Sequence, residues 1–155
     1  MTIMKLRRIV FILPLVLLFA ASGFAQTKTK PTPAAALNPV KTSPAYAEVL
    51  LKKTELSAEL EGLLVEYTEE FPKVKELRYE SGLLQKELDR LLAVNAADAS
   101  RLSAALGKLM VRKCEIDTDL WSLLLQFNAE HPEVKRAKRK SEMFGAAIND
   151  ILQGK

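Results

Sequence analysis

Hydrophobic positions along residues 45–153 recur with the period of an α-helix. Up to residue 92 they include Leu56, Leu60, Leu63, Tyr67, Val74, Leu77, Leu84, Leu88 and Leu91; later they include Ile116, Leu120, Leu123, Phe127, Val134, Phe144, Ile148 and Ile151. Spacings of three, four and seven place such side chains on one helical face, and no segment alternates with the period of two that a half-buried strand requires. The intervening positions are rich in Glu, Lys, Gln and Arg, all good helix formers. Only Pro72, Pro132 and the stretch from Asn95 to Ser100 interrupt the pattern, with Asp98 a candidate cap. The pattern predicts an all-α chain with helices near 45–70, 72–94, 98–130 and 132–153, and Leu64 and Leu124 are expected in its core.

A shift of 60 residues superposes the chain on itself. Leu60, Leu63, Leu64, Glu70, Pro72, Val74 and Lys75 meet identical residues at 120, 123, 124, 130, 132, 134 and 135, and Tyr67 and Phe71 meet Phe127 and His131. The match continues through Lys53/Lys113, Glu55/Glu115, Ser81/Ser141 and Leu92/Leu152, which defines repeats at 49–92 and 109–152. One helix-proline-helix unit is used twice, each copy supplying an apolar face for the other. A proline at a first helical position starts a new helix and pushes the residue before it out of the α region, which makes each unit a hairpin and the whole a four-helix up-down bundle. The alternative is two long, proline-kinked antiparallel helices in a coiled-coil rod, because the seven-residue phase runs through both prolines without a slip.

The ends change this picture. Lys5, Arg7 and Arg8 precede an apolar run from Ile9 to Ala21, which is followed by small residues up to Ala25. The run is shorter than the ~20 residues of a spanning helix, and the order is that of a secretory signal peptide, residues 1–25, cleaved near Ala25. The expected location is periplasmic or secreted, and membrane contact is expected only if the signal segment is retained. Residues 26–44 hold four of the seven prolines with no apolar periodicity and read as a flexible, Pro-rich tether. The helical domain is then 45–153. Export removes three basic residues and no acid, so the formal charge falls from +4 to +1, with 20 bases against 19 acids. A nearly neutral mature chain gives no electrostatic case for a nucleic-acid partner.

Candidate chemistry is sparse. His131 is the single histidine and stands where the first repeat has Phe71, which points to a space-filling turn residue; no second histidine or cysteine accompanies it at metal-ligand spacing, so neither a metal nor another cofactor is expected. The acids between 54 and 90, Glu80 among them, read as a solvated helix face. No nucleophile motif, phosphate loop or dinucleotide fingerprint occurs, and no catalysis is expected. Cys114 is the lone cysteine, open to a buried thiol or a link between chains. Trp121, seven residues on, shares its helical face as a flank of the core or an oligomer contact. Lys135, Arg136, Lys138, Arg139 and Lys140 form a basic cluster in the second repeat. Pairing with the protein's own acidic helix, within the monomer or between copies, is the first reading of it, and a patch for an anionic partner the second.

The motif residues Tyr67, Thr68, Phe71, Pro72 and Val74, with Phe127, His131, Pro132 and Val134 in the copy, resemble the Tyr-Thr-x-x-His-Pro-x-Val pattern in periplasmic coiled-coil segments of bacterial polysaccharide chain-length determinants. That family consists of membrane-anchored oligomers that influence how long a surface polysaccharide grows. The resemblance covers the motif and about 20 residues on each side in both copies. It implies a proline-punctuated pair of helices. The family's second membrane span has no counterpart before Lys155, and Phe71 replaces the motif histidine, so the polymer-length activity is not carried over. The expected function is an exported protein-interaction module, as an oligomer or an accessory of an envelope assembly. A holdase-like periplasmic chaperone is the alternative, and a polyanion- or polysaccharide-binding protein a third reading.

Overall fold

The computed structural model describes residues 38–154. The expected signal peptide, residues 1–25, and most of the expected tether lie outside them. Four α-helices account for most of the described chain: α1 Pro44–Leu64, α2 Pro72–Leu92, α3 Ala104–Leu124 and α4 Pro132–Gln153, with a short 3₁₀ turn, Ala96–Arg101, between α2 and α3. Among the described residues no helix is long and apolar enough to cross a membrane.

Both prolines open new helices, so the chain forms hairpins and the kinked rod is excluded. Phe71 and His131, which precede them, are held extended at ψ 130° and 137°, the conformation a following proline imposes. α1 and α3 end eight residues before each proline, earlier than periodicity predicts. The turn between is closed by Tyr67 N–H donating to the Leu63 carbonyl at 2.8 Å and Phe127 N–H to the Leu123 carbonyl at 2.8 Å.

Contacts fix the directions. Lys52 on α1 lies 3.9 Å from Glu80 on α2, in an antiparallel hairpin. Asp117 on α3 accepts a hydrogen bond from Ser141 on α4, and Lys113 passes close to Gly145, the same antiparallel arrangement in the second hairpin. α1 and α3 are parallel: Ala45 and Glu48 abut Gly107, and Lys52 reaches Glu115 at 3.4 Å. The result is the expected up-down all-α bundle, with α3 packed against α1, α2 and α4, and α4 packed chiefly against α3. The second hairpin thus lies on the first as successive repeats do in a solenoid.

The core contains Val49, Leu56, Leu77, Leu84, Leu88, Leu91, Leu106, Met110 and Ile148. The duplication reaches further than residues 49 and 109. Ser43 and Ser103, 60 apart, each cap a helix, accepting from Tyr46 N–H and Leu106 N–H. The last residues of the segment read as a tether belong to this fold, because Asn38 Oδ1 accepts from Val40 N–H and Val40 is buried. Ala45 N–H donates to the Leu102 carbonyl at 3.1 Å, joining the start of α1 to the connection before α3. Two expectations fail. Leu124 is 48 % exposed and outside the core, and Leu64 is only half-buried. Both lie in the last turn of their helices, at the end of the bundle.

Candidate interaction surfaces

The repeat motif builds the same tip twice. Tyr67 stacks on Phe71 with ring centroids 4.2 Å apart, and Phe127 stacks on His131 at 4.1 Å. Lys75 bridges Glu70 at 2.5 Å, and Lys135 bridges Glu130 at 2.6 Å. Val74 and Val134 are buried beneath the tips, while Pro72 and Pro132 are exposed at the helix starts. His131 does what Phe71 does and adds a cap, its Nδ1 accepting from Glu133 N–H at 3.3 Å.

Because α1 and α3 are parallel, both tips sit at the same end of the bundle. That end carries exposed large apolar side chains: Val65 at 84 %, Leu125 at 68 %, and Leu124, Tyr67 and Phe127 at 40–48 %. Glu66, Glu69, Glu70 and Glu130 are exposed around them. A shallow depression of about 320 Å³ lies where the two tips meet, walled by Pro72 and Lys75 of the first hairpin and by Trp121 and Leu125 of the second. Trp121 itself stacks on Tyr79 of α2, centroids 4.9 Å apart, and so flanks the core. Val65 and Leu125 escaped the sequence reading because they fall off the apolar stripe; that off-phase position was the available signal.

The basic cluster on α4 faces solvent. Lys135 and Arg136 pair with the neighbouring Glu130 and Glu133, whereas Lys138, Arg139 and Lys140 have no ion pair among the described residues. None of the five reaches an acid of α2 in its own chain, so the expected pairing is not formed within the monomer. The reason is architectural: α4 packs on the far side of α3 from most of that acidic helix. The α2 carboxylates find nearer partners, Lys73 for Glu76 and Arg90 for Glu87.

Two titratable groups are shaped by burial. Glu80 is buried at the junction of α1, α2 and α3, contrary to the solvated face expected for it, and its Oε1 has no hydrogen-bond partner. Desolvation holds its pKa above the usual carboxylate value, with Lys52 opposing the rise and Glu115 adding to it. Burial pushes the Cys114 thiol up to about 12, which leaves it unreactive and inaccessible to a second chain in the folded state. Among the described residues no group of three His, Cys, Asp or Glu side chains is placed to hold a metal ion. No family model, no curated protein and no solved structure matches the chain.

Proposed function

We propose that this chain is an exported helical module that works by protein-protein contact, without catalysis, as an oligomer or an accessory of an envelope assembly. The carrying observation is the apolar end of the bundle, where Val65 and Leu125 stand largely exposed beside aromatic tips and a border of carboxylates. Several large apolar side chains exposed at one end of a fold, with carboxylates among them, are a mark of an interaction site. Export is supported by the basic start, the apolar run and the small residues before Gln26. The family resemblance supports an envelope setting through the local geometry alone.

The same exposed tip favours a second reading, a holdase-like chaperone that covers apolar segments of unfolded clients. The free Lys138, Arg139 and Lys140 favour a third, binding of an anionic polysaccharide. One set of assays separates the three. A contact module gives a discrete complex in pull-downs from envelope fractions, lost on V65S/L125S, and does not slow the aggregation of a heat-denatured client. A holdase slows that aggregation with no fixed partner. A polyanion binder is retained on a sulfated polysaccharide column and released as salt rises. Retention of the discrete complex by the V65S/L125S variant overturns the proposal.

A further inference from the structure

The duplication leaves one face of each hairpin without its counterpart. α3 covers the face of the first hairpin that carries Ala45, Lys52, Leu56, Leu77 and Glu80. The equivalent face of the second hairpin, 60 residues on, has no helix over it. There Arg112, Arg139 and Lys140 are exposed, and a depression of about 280 Å³ opens between Ile116, Leu123, Ala137 and Lys140. At the other end of the stack, α1 presents the face that corresponds to the buried face of α3. Tyr46, Leu50, Thr54, Ala58 and Glu61 stand where Leu106, Met110, Cys114, Thr118 and Trp121 stand in α3. Leu50 is 43 % exposed there.

We infer that the open face of the second hairpin receives α1 of a second copy of this chain, so that copies stack head to tail and continue the internal repeat. The inference rests on the contact-module reading above and names its partner. It is carried by charge as well as by symmetry. Within one chain the junction between hairpins uses Lys52 with Glu115 and the stacked pair Tyr79 and Trp121. Carried one repeat further, the first pair becomes Arg112 of one copy with Glu55 of the next. The second becomes Arg139 with Glu61. Glu80, which faces Glu115 unfavourably inside the chain, becomes Lys140 facing Glu55. All three junction pairs therefore bring opposite charges together.

Glu55, Glu61, Arg139 and Lys140 are exposed and have no ion pair among the described residues, and Arg112 holds only its helix neighbour Glu115. This arrangement explains why the second repeat carries Arg139 and Lys140 on its α4 face while no acid among the described residues pairs with either. One position departs from the operator. Ala47 stands where Gly107 lies, and a Cβ at Gly107 comes within 2.7 Å of Glu48 Cβ, so the junction between copies must be slightly wider than the internal one. A contact of this kind is heterologous and produces rings or open filaments rather than closed dimers.

Sedimentation velocity on the purified protein tests the inference. The expected result is concentration-dependent association that weakens with salt. R139E/K140E and E55K/E61K should each weaken it by on the order of tenfold or more, with unchanged helical circular dichroism because all four residues are exposed. Mixing the two variants should restore association, since each supplies the face the other has reversed. A wild-type protein that stays monomeric, variants that associate as the parent does, or a mixture that remains monomeric overturns the stacking. The V65S/L125S variant keeps the two ideas apart: loss of a partner complex through the tip speaks to the contact module, and sedimentation through the charged faces speaks to self-stacking.

Discussion

At the scale of single residues, the distinction that matters is between positions on the apolar stripe and positions at the helix ends. Leu77 is 1 % exposed, and its truncation to alanine should cost about 2–5 kcal/mol. Leu124→Asp should cost no more than about 0.5 kcal/mol, since the side chain already meets solvent. Urea unfolding of both variants checks this; equal losses would return Leu124 to the core. Glu80 gives a pH-dependent counterpart. Its folded pKa lies above the unfolded value, so the folded state binds the proton more tightly than the unfolded chain. Its contribution to stability is therefore most favourable at low pH and is lost as pH rises through the folded pKa. Glu115 has the opposite sign: burial alone would raise its pKa, but hydrogen bonds from Arg112 and Lys52 outweigh that and lower it. Its contribution is present above the unfolded value and lost as pH falls. Glu80→Gln should raise the melting temperature at pH 7, and its advantage over the parent should shrink towards pH 4. A Gln variant that melts lower at pH 7 would show that the Lys52 pairing outweighs desolvation.

At the scale of helices, the two repeats meet closely where α1 crosses α3. Gly107 lets α3 come against Ala45 and Glu48 of α1, where an added Cβ would lie 2.7–2.9 Å from their atoms. Gly107→Ala should cost about 1–3 kcal/mol by forcing the helices apart. Gly82 on α2 has nothing within 4 Å of such a Cβ, so Gly82→Ala should stabilise by about 0.4–1 kcal/mol through the unfolded chain. Thermal melts showing the same sign for both would contradict the close parallel crossing of α1 and α3. Much at this scale was legible in the sequence. The two prolines and the shift of 60 determine where α2 and α4 begin, but the third helix, expected from 98 with Asp98 as its cap, starts at Ala104 with Ser103 as its cap, and Asp98 lies in the 3₁₀ turn before it. Glu80 was misread: it stands three residues after Leu77 and four before Leu84, on the apolar stripe, but its charge argued for solvent. The exposed ends of α1 and α3 were not legible, because periodicity assigns a residue to a face and says nothing of how far the neighbouring helix extends.

At the scale of the folded unit, duplication determines what is left uncovered: two aromatic tips at one end, and unpaired charged faces on α1 and α4. The distribution of charge between the repeats could be read from the sequence, but its destination depended on α4 packing on α3 and away from most of α2. The account stands or falls on whether the apolar tip meets another protein in the envelope. A photocrosslinking residue placed at Leu125 and, as a control, at the exposed Gln85 of α2 measures this in living cells. A discrete crosslinked product from position 125 and none from position 85 is the predicted result. No product from 125, or the same diffuse products from both positions, would contradict a tip that docks on a defined protein.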